Sequence, residues 1–177
     1  MEIKASSKYD WKTIKTFYAF SFDKKNKLPT IFYIVLFVVL VATYGLQFAQ
    51  GTFTSDLLPS LVIFSFLYIM VIYIRFVLPK VRYNKNKILH GVVNNLTFSE
   101  TQFEISQSGD NATGVSSINY DAIYKIYETK EYIYIYITPQ QAHFVDKSTI
   151  IGGTADDLRL LLTNAVGKSK YKIKCKV

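Results

Sequence analysis

The sequence predicts a membrane protein of the α+β class: a two-helix transmembrane hairpin, then a cytoplasmic domain in which one curved antiparallel sheet is closed by a C-terminal helix. Three observations predict it. Two long runs, 29–49 and 57–78, are apolar on every face, with Arg75 the single charge inside them. Lysines crowd the flanks of this pair and are missing from its connection. Beyond residue 89 the apolar pattern changes to a period of two and returns to a helical period only at the end. The bulk figures agree: 177 residues, 50% hydrophobic and only 19% charged, too apolar for a disordered chain.

The elements follow in chain order. Residues 1–28 form a basic cytoplasmic segment with an extended start at 2–5 and a helix over 10–20 that Asp10 caps. Trp11, Ile14, Phe17 and Tyr18 fall near one face of that helix. The face suits the membrane interface or, the favoured alternative, packing on the downstream domain. Each apolar run supplies the ~20 residues that cross a ~30 Å hydrocarbon core, and Arg75 lies close enough to the end of the second to snorkel. The first run begins too late, and is too long, for a cleaved signal peptide. Seven lysines precede it, the short connection 50–56 has no Lys or Arg, and Arg75, Lys80, Arg82, Lys85 and Lys87 follow. Positive charge stays inside, so both termini are expected in the cytoplasm, with a basic juxtamembrane linker over 79–88. No Asp, Glu or His lies within either run, which argues against a proton relay or an ion path.

Residues 89–167 read as the folded domain. Strand-like runs lie at 95–98, 102–106, 115–119, 123–128, 132–138 and 142–145. The clearest alternates Tyr132, Tyr134 and Tyr136 with Ile133, Ile135 and Ile137, so tyrosines take one sheet face and isoleucines the other. A tight connection at 129–131 makes it a hairpin with the strand before, and turn signals sit at 109–111 and 152–153. A helix over 155–166 closes the domain, with Thr154 and Asp157 spaced as a capping box and Leu158, Leu161 and Leu162 as its buried stripe.

The run 120–129, Tyr-Asp-Ala-Ile-Tyr-Lys-Ile-Tyr-Glu-Thr, followed by the tyrosine strand, resembles the YcxB-like C-terminal domain of bacterial membrane proteins. The layout of basic segment, two spans and domain is similar to that family as well. The resemblance implies a pleckstrin-homology-like fold at the bacterial inner membrane and brings no catalytic residues. Where family members often carry Ile-Pro-Lys, this chain has Val145, Asp146 and Lys147.

Charge distribution narrows the function. The net +8 first suggests nucleic acid, but 89–167 holds four basic and nine acidic residues. Positive charge sits beside the spans and in the tail 168–177, so a nucleic-acid partner is not expected. Lys24, Lys25, Lys27, Lys80, Arg82, Lys85 and Lys87, with the tail's Lys168, Lys170, Lys172, Lys174 and Lys176, are the candidates for contact with anionic lipid. The tail alternates lysines with mostly apolar residues, a pattern that can add a strand, lie on lipid, pair with an acidic partner or stay solvated. One cysteine, Cys175, gives neither a disulfide framework nor a cysteine zinc site. His90 and His143 have no ligand spacing, and no phosphate-binding glycine motif occurs. No enzyme activity, cofactor, metal or small-molecule substrate is expected. Tyr124, Tyr132, Tyr134 and Tyr136 are the candidate partner-binding residues, because aromatic side chains give large contact area at low entropic cost. The expected function is a membrane-anchored adaptor or scaffold binding a protein partner or a second copy of the chain. The alternative is a sensor of anionic lipid or envelope stress that works through the lysines.

Overall fold

The computed structural model describes residues 2–25, 27–52, 58–109 and 113–174. They form an α+β protein with two long apolar helices and two sheets, in two compact units: residues 10–87, and residues 1–9 together with 88–177.

The first unit is helical. In α1 (Trp11–Lys25), Asp10 Oδ1 accepts the Thr13 N–H at 2.8 Å, the expected cap. The helix runs to Lys25 rather than stopping near 20, because no Gly or Pro interrupts it. Helix α2 (Lys27–Ala49) is the first apolar run. The second is α3 (Leu58–Ile72), continued through a π-helical turn (Tyr73–Val77) into α4 (Leu78–Lys85). The stretch 79–85, expected as linker, is therefore helix. The π-turn carries the Leu78 N–H back to the Tyr73 carbonyl, and Pro79 then falls in the first turn of α4, where a missing N–H costs nothing.

Segments Ile31–Ala49 and Pro59–Lys85 are long and apolar enough to cross a membrane. Their side chains face outward: Phe48 is 78% exposed and Val62 68%. Between α2 and α3, the Tyr44 hydroxyl bonds the Ser60 hydroxyl, and the Phe37 and Tyr68 rings stack at 4.7 Å. Helix α1 packs on α4, with Trp11 5.7 Å from Tyr83 and an Arg82 N–H donated to the Tyr18 hydroxyl at 3.3 Å. The Arg75 guanidinium lies 5.6 Å from the Phe22 ring and as close to Phe76, a cation–π seat for the charge expected to snorkel. Much of the expected outer connection, residues 53–56, lies outside the described residues.

The second unit divides what the sequence suggested as one curved sheet into two. The first sheet is fully antiparallel in the order β1 (Ile3–Lys8), β2 (Val93–Phe98), β3 (Gln102–Ser108), β4 (Gly114–Asn119). The extended start is thus a longer strand, paired with one far along the chain. Its alternation shows why: Ile3, Ala5 and Ser7 are buried, while Lys4 and Lys8 are exposed. The second sheet has the order β7 (Ala142–Asp146), β6 (Tyr132–Tyr136), β5 (Lys125–Glu128), β8 (Tyr171–Ile173), with β8 parallel to β5. A 3-10 turn at Tyr120–Ala122 breaks the chain between the sheets, held by the Tyr120 hydroxyl donating to the Ser99 carbonyl at 2.7 Å. Burial pushes that phenol's pKa up to about 12.

Strand β1 also closes a seam between the sheets. The Lys4 and Ile151 backbones bond reciprocally at 2.9 and 2.8 Å, and Thr149 Oγ1 both accepts from the Ser6 N–H and donates to its carbonyl. Gly152 is required at this seam. Its φ is +81°, and a Cβ there would stand 2.7 Å from the Glu2 carbonyl oxygen. The core joins Ile3, Leu96, Phe98, Phe103 and Ile105 of one sheet to Ile126, Ile133, Ile135 and Val145 of the other. Helix α5 (Ala155–Val166) buries Leu158 and Leu162 in it and begins with the expected capping box, Thr154 with Asp157. Each such side chain contributes roughly 1.5–3 kcal/mol by leaving water.

Candidate functional site

The tyrosine strand is where sequence reasoning placed the partner site. The β5–β6 hairpin forms as expected: the Thr129 N–H and hydroxyl both donate to the Tyr132 carbonyl, at 2.8 and 2.9 Å. The alternation also holds, but both faces of β6 are covered. Tyr132, Tyr134 and Tyr136 are 4%, 0% and 5% exposed. They lie among other rings: Tyr134 against Tyr132 and edge-on to Phe144, both at 6.0 Å, and Tyr136 edge-on to Tyr127 at 5.6 Å. Burial pushes the Tyr134 phenol pKa up. The three tyrosines therefore do not form the presented face that was expected, because β6 is internal to its sheet and its neighbours are aromatic too. Only Tyr124, at 52%, is exposed among the four candidates.

The lysines separate into groups. Lys80, Arg82, Lys85 and Lys87 are exposed along and just beyond α4. Lys24 and Lys25 end α1, and Lys27 begins α2. In the tail, Lys168, Lys172 and Lys174 are exposed, whereas Lys170 Nζ donates to the Ile123 carbonyl at 2.9 Å. Lys170 is thus engaged in holding the tail down. Lys176 lies outside the described residues, as does Cys175. Of the alternatives for the tail, three residues add a strand: the Ile126 N–H bonds the Lys170 carbonyl and the Lys174 N–H bonds the Glu128 carbonyl.

The most concentrated charge cluster was missed. Glu128 is fully buried at the end of β5. Arg159 of α5 donates to its two oxygens through Nε at 2.7 Å and Nη2 at 2.6 Å, Lys147 donates from the turn after β7, and the Tyr171 hydroxyl of β8 donates at 2.7 Å. Burial alone would raise the Glu128 pKa, but hydrogen bonds from Arg159, Lys147 and Tyr171 outweigh it and hold the carboxyl at about 2. Tyr171, buried and donating to a carboxylate, has its pKa pushed up. A signal was present in the sequence: Glu128 stands two residues after Ile126, on the side of the strand that faces the core. With four donated bonds the carboxylate is saturated, so it rivets four elements rather than offering itself to substrate. Tyr171→Phe removes one charge-assisted bond and is expected to cost roughly 1.5–3 kcal/mol, read as faster amide exchange in β8 and at Ile126.

No group of three or more His, Cys, Asp or Glu side chains is placed to hold a metal among the described residues. A groove of about 250 Å³ lies at one end of the strand unit, between β3, β4 and the β6–β7 turn. Ile105, Ile118 and Ile137 give it apolar walls, and Gln107, Gln141 and His143 add polar ones. His143 meets Phe103 edge-on at 6.4 Å, and burial lowers its pKa, favouring the neutral ring. Beside the groove, β4 is the last strand of its sheet, and Val115 on it is 74% exposed.

Neither the curated proteins nor the solved structures contain a match to this chain. The family model described as YcxB-like protein matches residues 98–163, from the end of β2 into the last turn of α5. The matched segment, which carries the groove and Glu128 with Lys147 and Arg159, is similar to the YcxB-like family, and Tyr171 lies beyond it.

Proposed function

We propose that this is a non-enzymatic integral protein of the bacterial inner membrane, in which two spans anchor a cytoplasmic pleckstrin-homology-like module that binds a protein partner. The observation that carries the reading is the exposure of the apolar helices: no part of the most apolar stretch of Ile31–Ala49 or Pro59–Lys85 is buried by protein. In water, two such surfaces would lose the whole transfer free energy of their side chains; in lipid they recover it. The exposed cations at the C-terminal end of the second apolar helix, along and just beyond α4, support cytoplasmic ends. Two packed sheets, antiparallel but for the β5–β8 pair and closed by α5, support the module's pleckstrin-like character, and the saturation of Glu128 supports a binding role over proton-transfer chemistry. The tyrosine face no longer supplies the docking surface, which leaves exposed Tyr124 as the surviving candidate.

Cys175, the only cysteine, makes the topology testable without mutation. A membrane-impermeant maleimide is expected to label Cys175 only after the inner membrane is permeabilised, with the protein remaining in the membrane pellet at alkaline pH. Labelling in intact spheroplasts would overturn the orientation, and release into the supernatant would overturn the anchor. The exposed Lys80, Arg82, Lys85 and Lys87 also favour a second reading, direct contact with anionic lipid. Vesicle binding that is insensitive to salt would sink it.

A further inference from the structure

We infer that β4 is a docking edge for an extended basic segment of a partner protein, which adds as a fifth strand and lays its aliphatic side chains in the adjoining groove. The inference is independent of the membrane reading. Among the described residues, no backbone group of 114–118 bonds outside the β3–β4 ladder. The strand, Gly-Val-Ser-Ser-Ile-Asn, has none of the proline, lysine or bulge protection with which proteins blunt such edges. The opposite edge of the same sheet, by contrast, is tied down by β1 through Lys4, Ser6, Thr149 and Ile151.

The two faces of β4 specify the partner's alternation. On the inward face Gly114 and Ser116 are small, and a Cβ built on Gly114 meets nothing within 4 Å. A side chain from an added strand therefore has room to enter the groove against Ile105, Ile118 and Ile137. On the outward face Ser117 stands opposite Glu104, an exposed carboxylate on β3, and exposed Asp121 follows just past the strand. From Ile88 to Tyr124 the sequence has no lysine or arginine, and it has four acids. A lysine lying across small Ser117 reaches Glu104, so charge complementarity selects lysine or arginine outward and aliphatic residues inward. The chain already uses this chemistry on its other sheet, where Lys170, Tyr171, Lys172 and Ile173 of the tail close the edge of β5.

The test uses the full-length protein in detergent micelles. The probe is a fluorescent capped heptapeptide, Val-Lys-Val-Lys-Val-Lys-Val, compared with its glutamate counterpart and with a block arrangement of the same residues. The alternating basic peptide is expected to bind and to slow amide exchange across 114–118. Ser117→Lys, on an exposed edge position, should weaken binding by about tenfold, and Glu104→Gln by about threefold. Several results would overturn the inference: no binding of the alternating basic peptide, equal binding of the glutamate or block peptide, wild-type binding by Ser117→Lys, or protection at β5 and β8 in place of β4.

Discussion

Glu128→Ala is expected to cost about 3–5 kcal/mol, the largest loss of any polar substitution in the strand unit. The side chain is fully buried and joins β5 to α5, β8 and the turn after β7, so its removal leaves Arg159 and Lys147 facing one another without the carboxylate between them. Arg159 retains a 2.6 Å bond to Asp156 and partial access to water, which places the cost toward the lower end of that range. Denaturant unfolding in micelles measures the loss. The double variant Glu128→Leu with Arg159→Met is expected to recover only part of it, because it removes the guanidinium with the carboxylate but leaves the Lys147 ammonium and the Tyr171 hydroxyl without their acceptor. A loss below 1 kcal/mol for Glu128→Ala would show that the cluster holds nothing together.

The same carboxylate sets a pH dependence. Its pKa is lowered from 4.5 to about 2, so the folded state binds its proton less readily than the unfolded chain. Its contribution is complete above pH 4.5 and is lost as pH falls through about 2, a change on the order of 3 kcal/mol. Glu128→Gln should lack this part of the acid profile, so the difference between the two curves isolates it from the other acids.

Phe103→Ala is expected to cost about 3–5 kcal/mol. Phe103 is fully buried, stacks on Phe98 at 5.6 Å and on Tyr120 at 6.1 Å, and meets His143 of the second sheet edge-on. It touches the first sheet, the crossing turn and the second sheet at once, so the void left by alanine cannot be filled by one neighbour relaxing. Phe103→Leu keeps most of the volume and should cost less than half as much. Equal losses for the two would show that ring volume does not matter there. The alanine variant should also broaden the His143 imidazole resonances, since its edge contact is lost.

Local patterns carried most of the fold into the sequence, and long-range closure carried the rest out of it. The strand runs, the Thr129 hairpin, the Asp10 cap and the Thr154–Asp157 capping box depend on residues a few positions apart, and all form where expected. The pairing of β1 with β2, the division into two sheets and the parallel β8 join residues distant in sequence, which no local period encodes. The candidate site failed for a related reason. Alternation assigns Tyr132, Tyr134 and Tyr136 to one side of β6, but whether that side meets water depends on β5 and β7, whose aromatic residues cover it. Glu128 was legible as an acid in an apolar phase, although its partners Lys147, Arg159 and Tyr171 were not.

The pairing of β1 with β2 has a consequence for biosynthesis. Strand β1 leaves the ribosome before its partner β2, which follows only after residues 9–92, two apolar helices included. Ile3 and Ala5 thus have no core to enter until the helical insertion and the strands after it have been synthesised, so the strand unit is completed after the helical one. The insertion is nonetheless pinched at its base, where the Tyr9 N–H bonds the Val92 carbonyl at 2.8 Å and the Gly91 N–H bonds the Tyr9 carbonyl at 3.1 Å. A fragment beginning at residue 88 would carry a bare β2 edge and an incomplete core. Residues 2–9 joined by a short linker to residue 91 would restore both, and would yield the strand unit free of its apolar helices.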